Sequence, residues 1–134
     1  IETILLNQEK NLFSYIIYSI EMICDYLEID TNIVKSSTIN IDHNLRSQDK
    51  VIAINKILKS TKYINSIGGA DLYDRGDFKE EAIELRFLES EVVNYRQFNN
   101  EFIPCLSIVD VMMFNSKEEI KDLLEKYKLL KGSE

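Results

Sequence analysis

Residues 62–89 read KYINSIGGADLYDRGDFKEEAIELRFLE, and their reading decides the fold. KYINS at 62–66 and IELRFLE at 83–89 have the β-branched and aromatic content of short strands. Between them lie Gly68, Gly69 and Gly76, three of the four glycines in the chain, followed by residues suited to a short helix or two. Strand, glycine loop, helix and strand in this order predict a βαβ unit with parallel strands and a right-handed crossover.

Working outward, Leu12, Ile16, Ile20, Ile23 and Leu27 step by three or four residues, which predicts an amphipathic helix over about 8–28 with Asn7 as its cap. TNIVKSS at 31–37 reads as a third strand, at 31–36, beside the first two, and the polar TINIDHNLRSQD after it as a loop. Helical spacing returns over 47–59 through Val51, Ile54, Ile57 and Leu58. An extended stretch at 92–103 ends at Pro104, the chain's one proline. Ser107 with Asp110, and Ser116 with Glu119, have the form of capping boxes, so two helices start near 107 and 116. The second continues through Ile120, Leu123, Leu124 and Tyr127 along one face. The expected class is α/β: a small parallel sheet with flanking helices, a Rossmann-like three-layer fragment with a helical C-terminus, forming a single domain over 1–134.

Composition narrows the function. Sixteen basic residues against 23 acidic ones leave a net charge of -7, which repels a phosphate backbone, so general nucleic-acid binding is not expected. His43 is the one histidine, and Cys24 and Cys105 lie far apart, so no zinc or haem ligand set is legible and no metal is expected. No cofactor is named by any motif. No apolar run approaches the roughly 18 residues of a membrane span, and unpaired thiols suit the cytoplasm.

Two loops and one helix carry the candidate site. Gly68 and Gly69 follow the carboxyl end of a strand, where open parallel sheets collect ligands. Glycines there let the backbone approach a ligand or take a positive φ, and the amides of Ala70 and Asp71, opening the next helix, suit an anion. A turn serving only chain reversal satisfies the same pattern. His43 and Arg46 lie in a segment, 42–62, that holds five cations against two acids, and they share the glycine rim if the strand at 31–36 is parallel to its neighbours. The same cations could equally coat the solvent face of the 47–59 helix. Asp110 is the charged residue within the apolar LSIVDVMMF, so it is capped, paired or functional.

In this order, CDYLEIDTNIVKSSTIN, YINSIGGADLYD and YRQFNNEFIPCLSIVDVMMFNSKEEI resemble the C-terminal part of WbqC-like proteins, a bacterial family. The ending carries most of the likeness: an aromatic extended segment, proline, LSIVD and an asparagine shortly after. Gly68, Gly69, Leu72, Tyr73, Tyr95, Gln97, Pro104, Ser107, Asp110 and Asn115 are the matching positions. The family's N-terminal signature, a glutamine-proline-tyrosine run followed by proline, tyrosine and glycine, does not occur in residues 1–134, which implies that a full-length member has a further segment before Ile1. The resemblance implies a role in O-antigen or other surface-polysaccharide biosynthesis, as a transferase of a glycyl or similar small group, or as a noncatalytic binding or assembly component. It implies an activated sugar or aminoacyl small molecule as substrate. Asp110 and His43 are the candidate catalytic residues, and Gly68, Gly69, Asp71, Arg46, Tyr73, Gln97, Ser107 and Asn115 the candidate substrate contacts. Apolar surface left uncovered by the further segment would favour a homo-oligomer.

Overall fold

A computed structural model describes residues 1–99 and 101–131. Along the chain run α1 (Glu2–Leu5), α2 (Leu12–Leu27), a 3-10 turn (Ser36–Thr38), α3 (Ser47–Ile57), β1 (Lys62–Ser66), a longer 3-10 helix (Ile67–Leu72), α4 (Arg75–Glu80), β2 (Glu84–Ser90), α5 (Ile108–Phe114), α6 (Lys117–Leu124) and β3 (Tyr127–Lys131). They form two compact units: Ile1–Ile33 with Val92–Glu125, and Val34–Glu91 with the chain from Lys126 on.

The sheet lies in the second unit, in the order β1-β2-β3. β1 and β2 are parallel, with Tyr63 opposite Leu85 and Asn65 opposite Phe87, so the expected α/β class and its parallel pair are present. Alternation puts Leu85 and Phe87 on the inner face, where they form a core with Phe78 and Ile83, closed by Val51 and Ile52 of α3 and by Tyr63, Ala70 and Tyr73. Gln48 fastens α3 to the start of α4: its side-chain amide donates to Asp77, and its carbonyl accepts from the Asp74 amide at 2.5 Å. The other sheet face carries Ile64 and Leu129, which are 45% and 37% exposed.

Two expected elements differ. The run at 31–36 is not a strand. Residues 31–35 are irregular and belong to no strand, and the chain turns at Ser36–Thr38, where the Thr38 hydroxyl donates to the Lys35 carbonyl at 2.8 Å. β-Branched residues favour a strand only where a neighbouring strand receives them. The third strand comes instead from the end of the chain, where a helix was expected. α6 stops at Leu124, and Tyr127–Lys131 pairs antiparallel with β2, setting Leu130 opposite Phe87 and Lys128 opposite Glu89. Pairing satisfies backbone groups along β2 that a helix would leave bare, and the Glu89–Lys128 opposition favours that register.

In the first unit, Asn11 caps α2, its side chain accepting from the Ser14 amide at 3.1 Å; Asn7 serves only its own turn, accepting from the Glu9 amide. α2 ends at Glu28 in the left-handed conformation (φ 58°), and the Glu28 carboxylate receives Lys117 at 2.6 Å and Lys121 at 2.5 Å from α6. Leu27 and Ile120, on these two helices, are fully buried. α6 begins in a complete capping box, Ser116 accepting from the Glu119 amide while Glu119 accepts from the Ser116 amide.

Candidate functional site

The segment after β2 positions the most constrained polar group of the first unit. Tyr95 and Gln97 are two apart, so an extended chain puts both on one side. At Phe98 the backbone turns through a left-handed residue (φ 48°), and the Phe98 ring stands edge to face with Phe114 of α5 at 4.6 Å. The turn brings Ile103 back against Gln97. The Gln97 carbonyl accepts from the Ile103 amide at 2.8 Å, while Nε2 donates to the Ile103 carbonyl at 3.1 Å. Gln97 is buried and fully used.

The same Nε2 donates to Asp110 Oδ2 at 2.9 Å, and the Tyr95 hydroxyl donates to that oxygen at 2.6 Å. Tyr95 is held in turn by Phe102, whose ring meets it edge to face at 5.2 Å. Desolvation first, and then the bond to Asp110, push the Tyr95 phenol above its ordinary pKa. Asp110 lies in the first turn of α5, where a negative charge is favoured by the helix dipole. It does not complete the expected capping box. Ser107 caps α5 by accepting from the Val109 amide at 3.2 Å, and the Asp110 carboxylate turns to Tyr95 and Gln97 instead. Asn115 closes the far end of α5, donating from its side chain to the Val111 carbonyl at 2.8 Å.

The second unit holds the other candidates. The 3-10 helix Ile67–Leu72 leaves directly from the carboxyl end of β1, the expected place for a ligand loop. Neither glycine has a positive φ. Gly68 has open space where a side chain would go, whereas a Cβ on Gly69 would lie 2.6 Å from Asn65 Nδ2 and 3.6 Å from the Tyr73 ring. Gly69 is therefore small to admit Asn65. Tyr73 meets Tyr63 edge to face, their hydroxyls 3.4 Å apart, and Tyr63 stacks on Phe78. Desolvation first and the Tyr73 hydroxyl second raise the Tyr63 pKa. Asp71 is exposed.

His43 and Arg46 lie on an exposed loop shaped by Asp42, which accepts from both the amide and the side chain of Asn44 at 2.9 and 3.0 Å. The His43 carbonyl accepts from Lys50 at 3.2 Å. With no strand at 31–36, the premise that put this loop on the glycine rim is gone. A recess of about 430 Å³ opens beside α3 and α4, lined by Asp77, Glu80 and Glu81 and by Asp49 and Lys56 of the charged segment 42–62; none of the candidate catalytic or substrate-contact residues lines it.

The structure thus groups Gln97 with Asp110, and Gly69 with Tyr73. Tyr95 and Asn65 are the additions: Tyr95 was legible as a position matching the family ending, and Asn65 carried no signal beyond its place in the quoted loop. A family model for the WbqC-like protein family matches residues 1–122. The chain belongs to the WbqC-like protein family. No curated protein and no solved structure matches it. In this WbqC-like chain, no helix among the described residues is long and apolar enough to cross a membrane.

Proposed function

We propose that this WbqC-like protein is a cytoplasmic transferase of bacterial O-antigen or other surface-polysaccharide biosynthesis, moving a glycyl or similar small group from an activated donor to a sugar. The observation that carries the reading is Asp110: a half-buried carboxylate with one oxygen fixed by Tyr95 and Gln97. A carboxylate held this way is preoriented to accept a hydrogen bond from an attacking hydroxyl or amine as its bond to the donor forms and the leaving group departs. In the second unit, and as a separate expectation, the loop of Gly68, Gly69 and Asp71 offers backbone amides to an anionic ligand group. Family membership supports the pathway.

The test is binding. The protein is titrated with nucleotide-sugars and aminoacyl analogues by calorimetry, and crystals are soaked with any that bind. The reading expects saturable binding of at least one, with density at the amides of residues 68–71. Absence of binding across both classes contradicts it. A second reading, a noncatalytic assembly component, is favoured by the apolar side chains presented at the start of the chain, where Leu5 is 70% and Leu12 72% exposed.

A further inference from the structure

The sheet ends at β3, and the edge that β3 presents is self-complementary. The Glu91 amide donates to the Lys126 carbonyl at 2.9 Å, which sets the phase of the antiparallel ladder. Lys128 and Leu130 turn their backbone groups to β2, and Tyr127, Leu129 and Lys131 turn theirs outward, where an edge strand offers them to any strand that fits. Alternation puts the side chains of the same three residues on the outer face, with Leu129 opposite Leu88 and Lys131 opposite Arg86. Tyr127 and Leu129 are 40% and 37% exposed. Two cations directly opposite each other, Arg86 and Lys131, are unfavourable within one copy. Lysines often blunt a sheet edge, but Lys128 is engaged by Glu91 of its own chain at 3.5 Å.

We propose that β3 is a docking edge for the β3 of a second copy, paired antiparallel about a two-fold axis through Leu129 so that the two sheets become one. In this register Leu129 meets its twin, and Tyr127 meets Lys131 of the second copy. The residues whose backbone groups point outward are then the ones that pair, each pair exchanging both N–H···O bonds. Leu88 and Leu129 of the two copies form one apolar row across the joint. The Tyr127 ring of one copy lies beside Lys131 of the other, offering a cation–π contact to the charge that Arg86 opposes within its own chain. Neighbouring registers fit worse. With Tyr127 opposite Leu129 of the second copy, Lys128 falls directly against Lys128, and like charges there repel. With Leu129 opposite Lys131 of the second copy, Tyr127 has no counterpart among the described residues. The other edge strand, β1, is a poorer match: pairing centred on Ile64 sets Lys62 against Ser66 and joins one apolar side chain per copy where β3 joins two. β3 lies outside residues 1–122, the part of the chain that the family model matches, and the joint stands independently of the transferase reading.

The test is disulfide capture with a control for register. Leu129→Cys, Tyr127→Cys and Ile64→Cys are made singly in the whole chain carrying Cys24→Ala and Cys105→Ser, oxidised in glutathione buffer at low protein concentration and resolved by non-reducing electrophoresis. Opposed residues of a hydrogen-bonded pair sit about 5.5 Å apart at Cα, within reach of a disulfide, whereas Tyr127 and its twin are about 14 Å out of step along the strand. Leu129→Cys should therefore form covalent dimer about tenfold faster or more than either of the other two. Leu129→Pro removes an N–H that faces away from β2, a place where edge strands tolerate proline, so the melting temperature should change little. On the Leu12→Glu background, which takes away the apolar start of α2, sedimentation velocity should show a monomer–dimer equilibrium that Leu129→Pro weakens about tenfold or more. Equal capture at positions 127 and 129, faster capture at position 64, unchanged association in the folded Leu129→Pro variant, or a monomer at every concentration overturns the edge dimer.

Discussion

At the residue scale, the network around Asp110 separates acceptor from charge. Asp110→Asn keeps an acceptor for Tyr95 and Gln97, so thermal unfolding should move by less than about 1 kcal/mol, whereas Asp110→Ala strands both donors and should cost about 1–3 kcal/mol. Equal losses in the two variants would mean that the charge itself holds the fold. Tyr95 should ionise above the ordinary tyrosine value, and ultraviolet titration of Asp110→Asn should show it falling partway back, because desolvation, the larger cause, remains. The sequence exposed Asp110 as a charge in an apolar run but not its partners. Ser107 and Asp110 have capping-box spacing, and local pattern cannot tell a carboxylate that bonds back to its own helix start from one turned toward residues 13 and 15 positions upstream. Only the turn at Phe98, closed on Ile103 by Gln97, makes that meeting.

At the scale of elements, what was legible was local. α3, β1 and β2 follow their apolar spacing and β-branched content, and the starts at Ser107 and Ser116 follow their caps. The two differences share a cause. TNIVKS at 31–36 has strand composition and no partner, while YKLLK at 127–131 continues a helical spacing yet lies beside β2, some 40 residues away in sequence, and takes its register. The glycine loop makes a further test. Gly69→Val should destabilise by roughly 1–3 kcal/mol as its side chain meets Asn65 and Tyr73, Gly68→Ala should be near neutral, and Asn65→Ala should relieve much of the cost of Gly69→Ala. Thermal melts of these variants beside ligand titrations separate a ligand loop from a turn: lost stability with unchanged affinity per folded molecule assigns the glycines to the turn. The α2–α6 tie responds to acid. Hydrogen bonds from Lys117 and then Lys121 lower the Glu28 pKa from 4.5 to about 2, so its contribution is complete above 4.5 and is lost as pH falls from there through 2. Urea melts across that window should show a shallower acid loss in Glu28→Gln than in the wild type; parallel curves would mean that the tie contributes nothing.

At the scale of the molecule, the surface bears on how the protein works. Leu5, Leu12, Ile16 and Ile20 are all exposed, from 42% at Ile20 to 72% at Leu12, which is more apolar side chain than a self-contained surface presents on one helix and its lead-in. We expect concentration-dependent self-association in sedimentation velocity, reduced by Leu12→Glu, and a monomer at all concentrations would remove the oligomer expectation. The claim that matters most is that the WbqC-like chain transfers a small group by way of Asp110. Its direct test is mass spectrometry of the products made by the protein together with its pathway neighbours, wild type against Asp110→Asn, with both shown to be folded. The account predicts a sugar product enlarged by one small acyl or similar group in the wild type and its near-complete loss in the variant; an undiminished product from Asp110→Asn, or no product from the wild type, would contradict it.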